Sequence, residues 1–98
     1  MSTETKKGYY KNGQLKYERS YQNEKKHGIN KGWYENGQLK YEWLYQNGKE
    51  HGINKVWYEN GQLKYEHYCL YGEQVSIKEY RKHELITQLS GLNNEYGN

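Results

Sequence analysis

Side chains able to do chemistry are scarce in this chain, and most of them recur at a fixed step. His27 and His51 each precede a glycine, 24 residues apart. Two stacked imidazoles could begin a metal site, but the chain has a single Cys and no Asp to complete the usual four ligands. The simpler reading is a turn histidine repeated with its scaffold. Cys69 sits in a strand-like stretch at the repeat position of Tyr21 and Tyr45, so it reads as a half-buried structural thiol, not a nucleophile. Glu18, Glu42 and Glu66 recur as well, and hairpin register sets them opposite Lys7, Lys31 and Lys55 as cross-strand charge pairs. An enzyme needs a reactive group placed once. Catalysis is therefore not expected, and neither is a cofactor or a metal.

Recognition suits the residue types better, because a repeated chain repeats a chemical pattern in space. Tyr9, Trp33 and Trp57 share one repeat position, and a two-residue hairpin turn would set them opposite Lys16, Lys40 and Lys64. Rings beside ammonium groups could stack bases and hold phosphates. The alternative is that lysine stems simply cover the rings. Glu18, Glu42 and Glu66 share that face in this register and dilute its field, so nucleic acid is disfavoured. The net charge of +3 comes from 15 basic residues interspersed with 12 glutamates, which serves solubility. Trp and Tyr are favoured anchors of protein interfaces. The expected partner-binding residues are Tyr9, Trp33, Lys40, Trp43, Trp57 and Lys64, with Trp43 alternatively part of the core.

The element that must position these side chains is a nine-residue phrase that occurs three times: Tyr10 to Glu18, Tyr34 to Glu42 and Tyr58 to Glu66. A second phrase, Tyr21 to Lys31, recurs as Tyr45 to Lys55. Asn-Gly between alternating apolar and polar residues is a type I′ hairpin signal, and with Asn23-Glu24 standing for Asn47-Gly48 in the return turn the predicted turns fall at 12, 23, 36, 47 and 60. A repeating hairpin cannot bury a face alone and must stack on its neighbours. The expected fold is all-β: tandem antiparallel hairpins forming a single elongated twisted sheet. Its apolar content comes from Tyr, Trp, Leu and Ile, which suits a thin sheet whose faces stay partly wet. The face carrying Tyr34, Leu39, Tyr41, Trp43 and Tyr45, with Gly32 beneath a ring, is expected to be the inner one.

The 98 residues read as one domain, with repeats at about 8–31, 32–55 and 56–73, a degenerate cap over 74–92 and a disordered tail over 93–98. Residues 1–6 are expected to fray. The cap has two readings. Tyr80 to Leu85 overlays Tyr58 to Leu63 as a last degenerate hairpin, while Ser76-Ile77-Lys78-Glu79 is a capping box that would open a helix. The hairpin is narrowly preferred. No secretion signal or membrane-length apolar run is present, so the expected location is cytoplasmic.

Tyr45-Gln46-Asn47-Gly48-Lys49-Glu50-His51-Gly52, followed by Trp57-Tyr58-Glu59-Asn60-Gly61-Gln62-Leu63, resembles the membrane occupation and recognition nexus (MORN) repeat, and more closely its bacterial variant in the YwqK-type antitoxin family. The resemblance covers residues 8 to about 73 and departs from the commonest form at Asn23-Glu24 and at Val56. It implies an antitoxin or immunity protein that occludes a toxin's working surface. A phage or mobile-element inhibitor of a host defence nuclease would need the same equipment. Membrane association is disfavoured by the mixed Lys/Glu surface, and a homodimer that hides one face remains open.

Overall fold

Alternation of tyrosine with lysine and glutamate, bounded by turn residues, builds strands whose neighbours in sequence pair in space. The computed structural model describes residues 2–96. Its strands are β1 (Thr3–Tyr9), β2 (Leu15–Gln22), β3 (Lys25–Lys26), β4 (Gly28–Trp33), β5 (Leu39–Gln46), β6 (Lys49–Glu50), β7 (Gly52–Trp57), β8 (Leu63–Leu70) and β9 (Glu73–Val75), followed by helix α1 (Ile77–Tyr96). They form one open antiparallel sheet in the order β1-β2-β4-β5-β7-β8-β9, with β3 and β6 paired to β2 and β5. The molecule measures 54 × 34 × 22 Å, so the array is long and thin.

Two kinds of turn alternate, and only one is the predicted kind. Asn23-Glu24, Asn47-Gly48 and Tyr71-Gly72 have positive φ at both residues, as a type I′ turn requires. At Asn12-Gly13, Asn36-Gly37 and Asn60-Gly61 the glycine alone is left-handed, with φ of 88°, 90° and 93°. There the Gly37 N–H donates to the Tyr34 carbonyl at 3.0 Å and the Tyr34 N–H to the Gln38 carbonyl at 2.9 Å. The loop thus holds three residues, a turn closed by a left-handed glycine. Asn36 Oδ1 accepts from the Gln38 N–H at 2.9 Å, which holds the asparagine out of the left-handed region.

This loop corrects the expected register. Gly32 faces Tyr41 and Lys31 faces Glu42 as expected, but Trp33 faces Leu39, leaving Lys40 as the extra residue of a β-bulge. Lys16 and Lys64 are the same extra residue in their hairpins, where Tyr9 faces Leu15 and Trp57 faces Leu63.

The ends also differ from expectation. β1 starts at Thr3, because its first residues pair with Arg19–Gln22 of β2. Beyond β9 the chain is helical: the Ser76 hydroxyl accepts from the Glu79 N–H at 3.1 Å and the Ser76 carbonyl from the Tyr80 N–H at 3.0 Å. The helix capped by Ser76 therefore prevails over the hairpin alternative. α1 continues through Tyr96, into the segment expected to be a tail. Met1, Gly97 and Asn98 lie outside the described residues.

Register divides the central sheet into two faces. One carries Tyr17, Gly32, Tyr41, Trp43, Tyr65 and His67; the other carries Lys7, Glu18, Lys31, Glu42, Lys55 and Glu66, with Ile29, Leu44, Ile53 and Tyr68 further along. A methyl group on Gly8 or Gly32 would collide with the ring of Tyr17 or Tyr41, so each tyrosine lies down over bare backbone. Val56 takes that place in the third repeat, and Tyr65 opposite it is 41% exposed.

Neither face is an interior. Among the described residues the buried side chains are Cys69, Asn30 and Asn54. Asn54 Oδ1 accepts from the Leu44 N–H at 2.7 Å and its Nδ2 donates to Glu50 Oε1 at 2.9 Å. Asn30 has neither bond, and Lys26 stands where Glu50 does one repeat later.

What replaces a core is bonding from one repeat to the next. The Tyr10 hydroxyl donates to the Trp33 carbonyl at 2.7 Å, and the Tyr34 hydroxyl to the Trp57 carbonyl at 2.8 Å. Asn12 and Asn36 donate to the Glu35 and Glu59 carbonyls at 3.2 and 3.1 Å. At the opposite turns the N–H groups of Asn47 and Tyr71 donate to Nδ1 of His27 and His51, at 3.2 and 3.0 Å. The repeated histidine is a hydrogen-bond acceptor for the next turn.

Candidate functional site

The bulge decides the character of the surface. Lys16 and Lys40 are re-aimed so that they line one depression with Tyr17, Arg19 and Tyr41, on the tyrosine face and not beside Glu18 and Glu42. Their ammonium groups lie over the loop tyrosines: Lys16 is 5.4 Å from the Tyr10 centroid, Lys40 5.5 Å from Tyr34 and Lys64 5.7 Å from Tyr58. The expected cross-strand pairing of these lysines with Tyr9, Trp33 and Trp57 is thereby corrected, since those residues face Leu15, Leu39 and Leu63, although Trp33 also lines the depression of Lys16 and Lys40. The glutamates are occupied on the opposite face, where Lys7 bridges Glu18 at 3.6 Å, Lys31 bridges Glu42 at 3.8 Å, and the Tyr68 hydroxyl donates to Glu66 at 2.8 Å.

The six residues singled out from sequence do not form one patch. Tyr9 is 61% exposed at the end of β1. Trp33 and Trp57 are half-buried, and their carbonyls accept the inter-repeat tyrosine bonds. Trp43 is half-buried and belongs to a row on the tyrosine face: its ring centroid is 5.9 Å from Tyr41 at 26° and 5.9 Å from His67 at 15°. Lys40 and Lys64 are exposed flanks of that face.

Sequence reasoning missed the slot that Arg19, Trp43 and His67 share. Each lies two residues after the tyrosine that covers, or would cover, a glycine, and side chains at i and i+2 of a strand share a face. Arg19 accordingly lies 4.1 Å from the Tyr17 centroid and His67 4.8 Å from Tyr65. The signal was the tripeptide Tyr-Glu-X itself, constant except at X. Lys6 over Tyr21 and Lys26 over Tyr45, both at 5.1 Å, add cations to the same face.

Of the four groups whose titration is shifted among the described residues, three are raised chiefly by burial. Burial raises the Cys69 thiol above its usual pKa, with Glu50 adding to the effect. Burial likewise raises the Tyr45 phenol, again helped by Glu50, and the Tyr80 phenol, helped by Glu84. The Tyr68 phenol is raised chiefly by its hydrogen bond to Glu66. Near α1, Tyr71 and His83 approach to 3.2 Å beside His51, joining the helix to the last turn. Among the described residues no three of His, Cys, Asp or Glu are placed to hold a metal ion, and no helix is long and apolar enough to cross a membrane.

A family model described as the MORN repeat variant matches the chain three times, over residues 5–23, 26–47 and 50–68. Those spans take in the three bulged turns and most of the strands that flank them, more than half the chain, and are separated at the return turns, where Glu24-Lys25 and Gly48-Lys49 lie between them. No curated protein and no solved structure matches the chain.

Proposed function

Because the chain belongs to the MORN repeat variant family, whose repeats serve in general in protein and membrane binding, we propose that it is a non-enzymatic protein-binding module that neutralises its partner by covering the partner's working surface. The observation that carries this reading is a lattice of hydrogen-bonded repeats that leaves large aromatic side chains at the surface: Tyr9, Tyr58 and Tyr65 are 61%, 49% and 41% exposed, and Trp33, Trp43 and Trp57 are half-buried. Aromatic side chains on a pre-organised scaffold lose little entropy on binding and make strong anchors. Groups that could act in acid–base chemistry are meanwhile tied into the scaffold, His27 and His51 to turn amides and Glu18 and Glu42 to lysines.

The finer reading, an antitoxin or immunity protein acting on a toxin, rests on the resemblance that Tyr45–Gly52 and Trp57–Leu63 bear to the repeats of YwqK-type antitoxins, a step beyond the family match itself. Such a protein would work in the cytoplasm beside its toxin. A pull-down with tagged wild type and a Trp33→Ala/Trp57→Ala variant, read by mass spectrometry, tests the proposal. One protein captured by the wild type and lost from the folded variant is the expected result. Equal capture by both would remove the tryptophans from the interface.

A further inference from the structure

The bulge in each hairpin sorts charge as well as register. On the charged face, lysine and glutamate alternate and neutralise one another. On the tyrosine face, Lys6, Lys16, Arg19, Lys26, Lys40 and Lys64 all lie within 4.1–5.7 Å of a ring centroid. Among the described residues, register places Glu4, paired with Lys6 at 3.5 Å, and Glu50, which accepts from buried Asn54, on this face, and Glu73 lines a depression beside Tyr45 and Glu50 at its far end. A chain with little net charge thus presents one strongly basic, aromatic face.

That face is graded along the array. Between the first two repeats, Lys16, Arg19 and Lys40 converge with Tyr17 and Tyr41 on a depression of about 140 Å³. One repeat further, the slot of Arg19 is filled by Trp43, and then by His67. Here the rings of Tyr41, Trp43 and His67 lie nearly parallel, 5.9 Å apart. Cations able to take phosphates therefore adjoin flat rings able to take bases. Adjacent strands are about 4.8 Å apart, so the backbone slots of successive repeats are about 9.6 Å apart, and the side chains lean across that step to bring the Trp43 and His67 rings to 5.9 Å.

We propose that the tyrosine face binds single-stranded nucleic acid, with phosphates on Lys16, Arg19 and Lys40 and bases stacked on Tyr41, Trp43 and His67. Unpaired strands are the chemistry that matches, because exposed bases can stack on rings while the backbone follows the cations. A duplex hides its base faces. The register expected from sequence set the lysines beside Glu18, Glu42 and Glu66, which counted against this partner, and the bulge removes that juxtaposition.

The test is fluorescence anisotropy of a labelled 12-nucleotide oligo-dT, with the intact chain, at low and moderate salt. Binding is expected in the micromolar range and should weaken with salt, because releasing condensed counterions into a saltier solution gains less entropy. A Lys16→Gln/Lys40→Gln variant keeps the aliphatic stems, and it should weaken binding at least tenfold and flatten the logarithmic salt slope by about 1.4, that is about 0.7 for each phosphate no longer neutralised. Trp43→Ala should weaken binding at least fivefold, with Trp43→Tyr restoring most of it. Lys31→Gln/Lys55→Gln, on the charged face, should leave binding unchanged. Circular dichroism verifies the fold of each variant. The proposal is overturned by no binding at about 100 µM, by a duplex of equal length binding as tightly, or by the charged-face variant losing as much as the tyrosine-face one. Lysine-dependent binding to phosphatidylserine vesicles without oligonucleotide binding would also overturn it and assign the face to lipid headgroups.

Discussion

Glu24 carries a measurable strain. It is a non-glycine residue with φ of 69° at the second position of a type I′ turn, where the next repeat has Gly48 at 85°. A side chain in that region costs about 1–2 kcal/mol, so Glu24→Gly is expected to stabilise the chain by about 1 kcal/mol and raise Tm by several degrees in a thermal melt. A neutral result would mean that contacts of the Glu24 side chain offset the strain. Cys69 gives a second prediction at this scale. It is 4% exposed and its thiol is raised above the usual range by burial. Thiolate then forms only at a higher pH than in the unfolded chain, so native labelling by iodoacetamide should be slow and its pH profile displaced to the alkaline side. In denaturant the rate should rise and the profile return. Equal rates in both states would mean the thiol is open.

Each hairpin is completed by its neighbour. Tyr10 and Tyr34 donate to the next repeat's carbonyls, whereas no acceptor is seen among the described residues for the hydroxyl of Tyr58, the third tyrosine of the series. Tyr34→Phe should therefore cost about 1 kcal/mol in a urea titration, and Tyr58→Phe close to nothing. Similar costs for both would show that the ring, not the bond, does the stabilising. Much of this element was legible in the chain. The 24-residue step and the alternation led to the hairpins, the pairing of Lys31 with Glu42 and the tyrosine over Gly32. The turn type was not, because Asn-Gly serves two loop geometries that differ by one residue, and the choice lies in whether Asn36 uses its side chain on Gln38. That single residue moves Lys40 to the other face, so an error in the loop became an error in the candidate site. The segment after Val75 was ambiguous for a different cause: Ser76 and Glu79 fit a helix cap while Tyr80 to Leu85 fit a worn hairpin, and only the capping bonds decide between them.

At the scale of the molecule, stability is spread along one dimension. With three buried side chains among the described residues, cohesion comes from strand pairing and repeat-to-repeat bonds, so each unit depends on how many neighbours it has. β4 and β5 have a repeat on both sides, β1 has a partner on one side only, and α1 rests on the sheet mainly through Tyr80 against Tyr68, at 5.5 Å, and His83 against Tyr71. Leu85, Ile86 and Leu89 of the helix are each more than half exposed. Local opening should therefore be cheapest at the two ends and dearest in the middle. Native-state hydrogen exchange is expected to show the slowest amides in Asn30–Gly32 and Tyr41–Tyr45, faster exchange in Thr3–Lys6, and the fastest in the second half of α1. Uniform protection would instead make the sheet a single cooperative unit, and binding at any one repeat would then be felt by all. Under the graded pattern, a ligand on the tyrosine face meets its most rigid surface at Tyr41 and Trp43, in the central repeat.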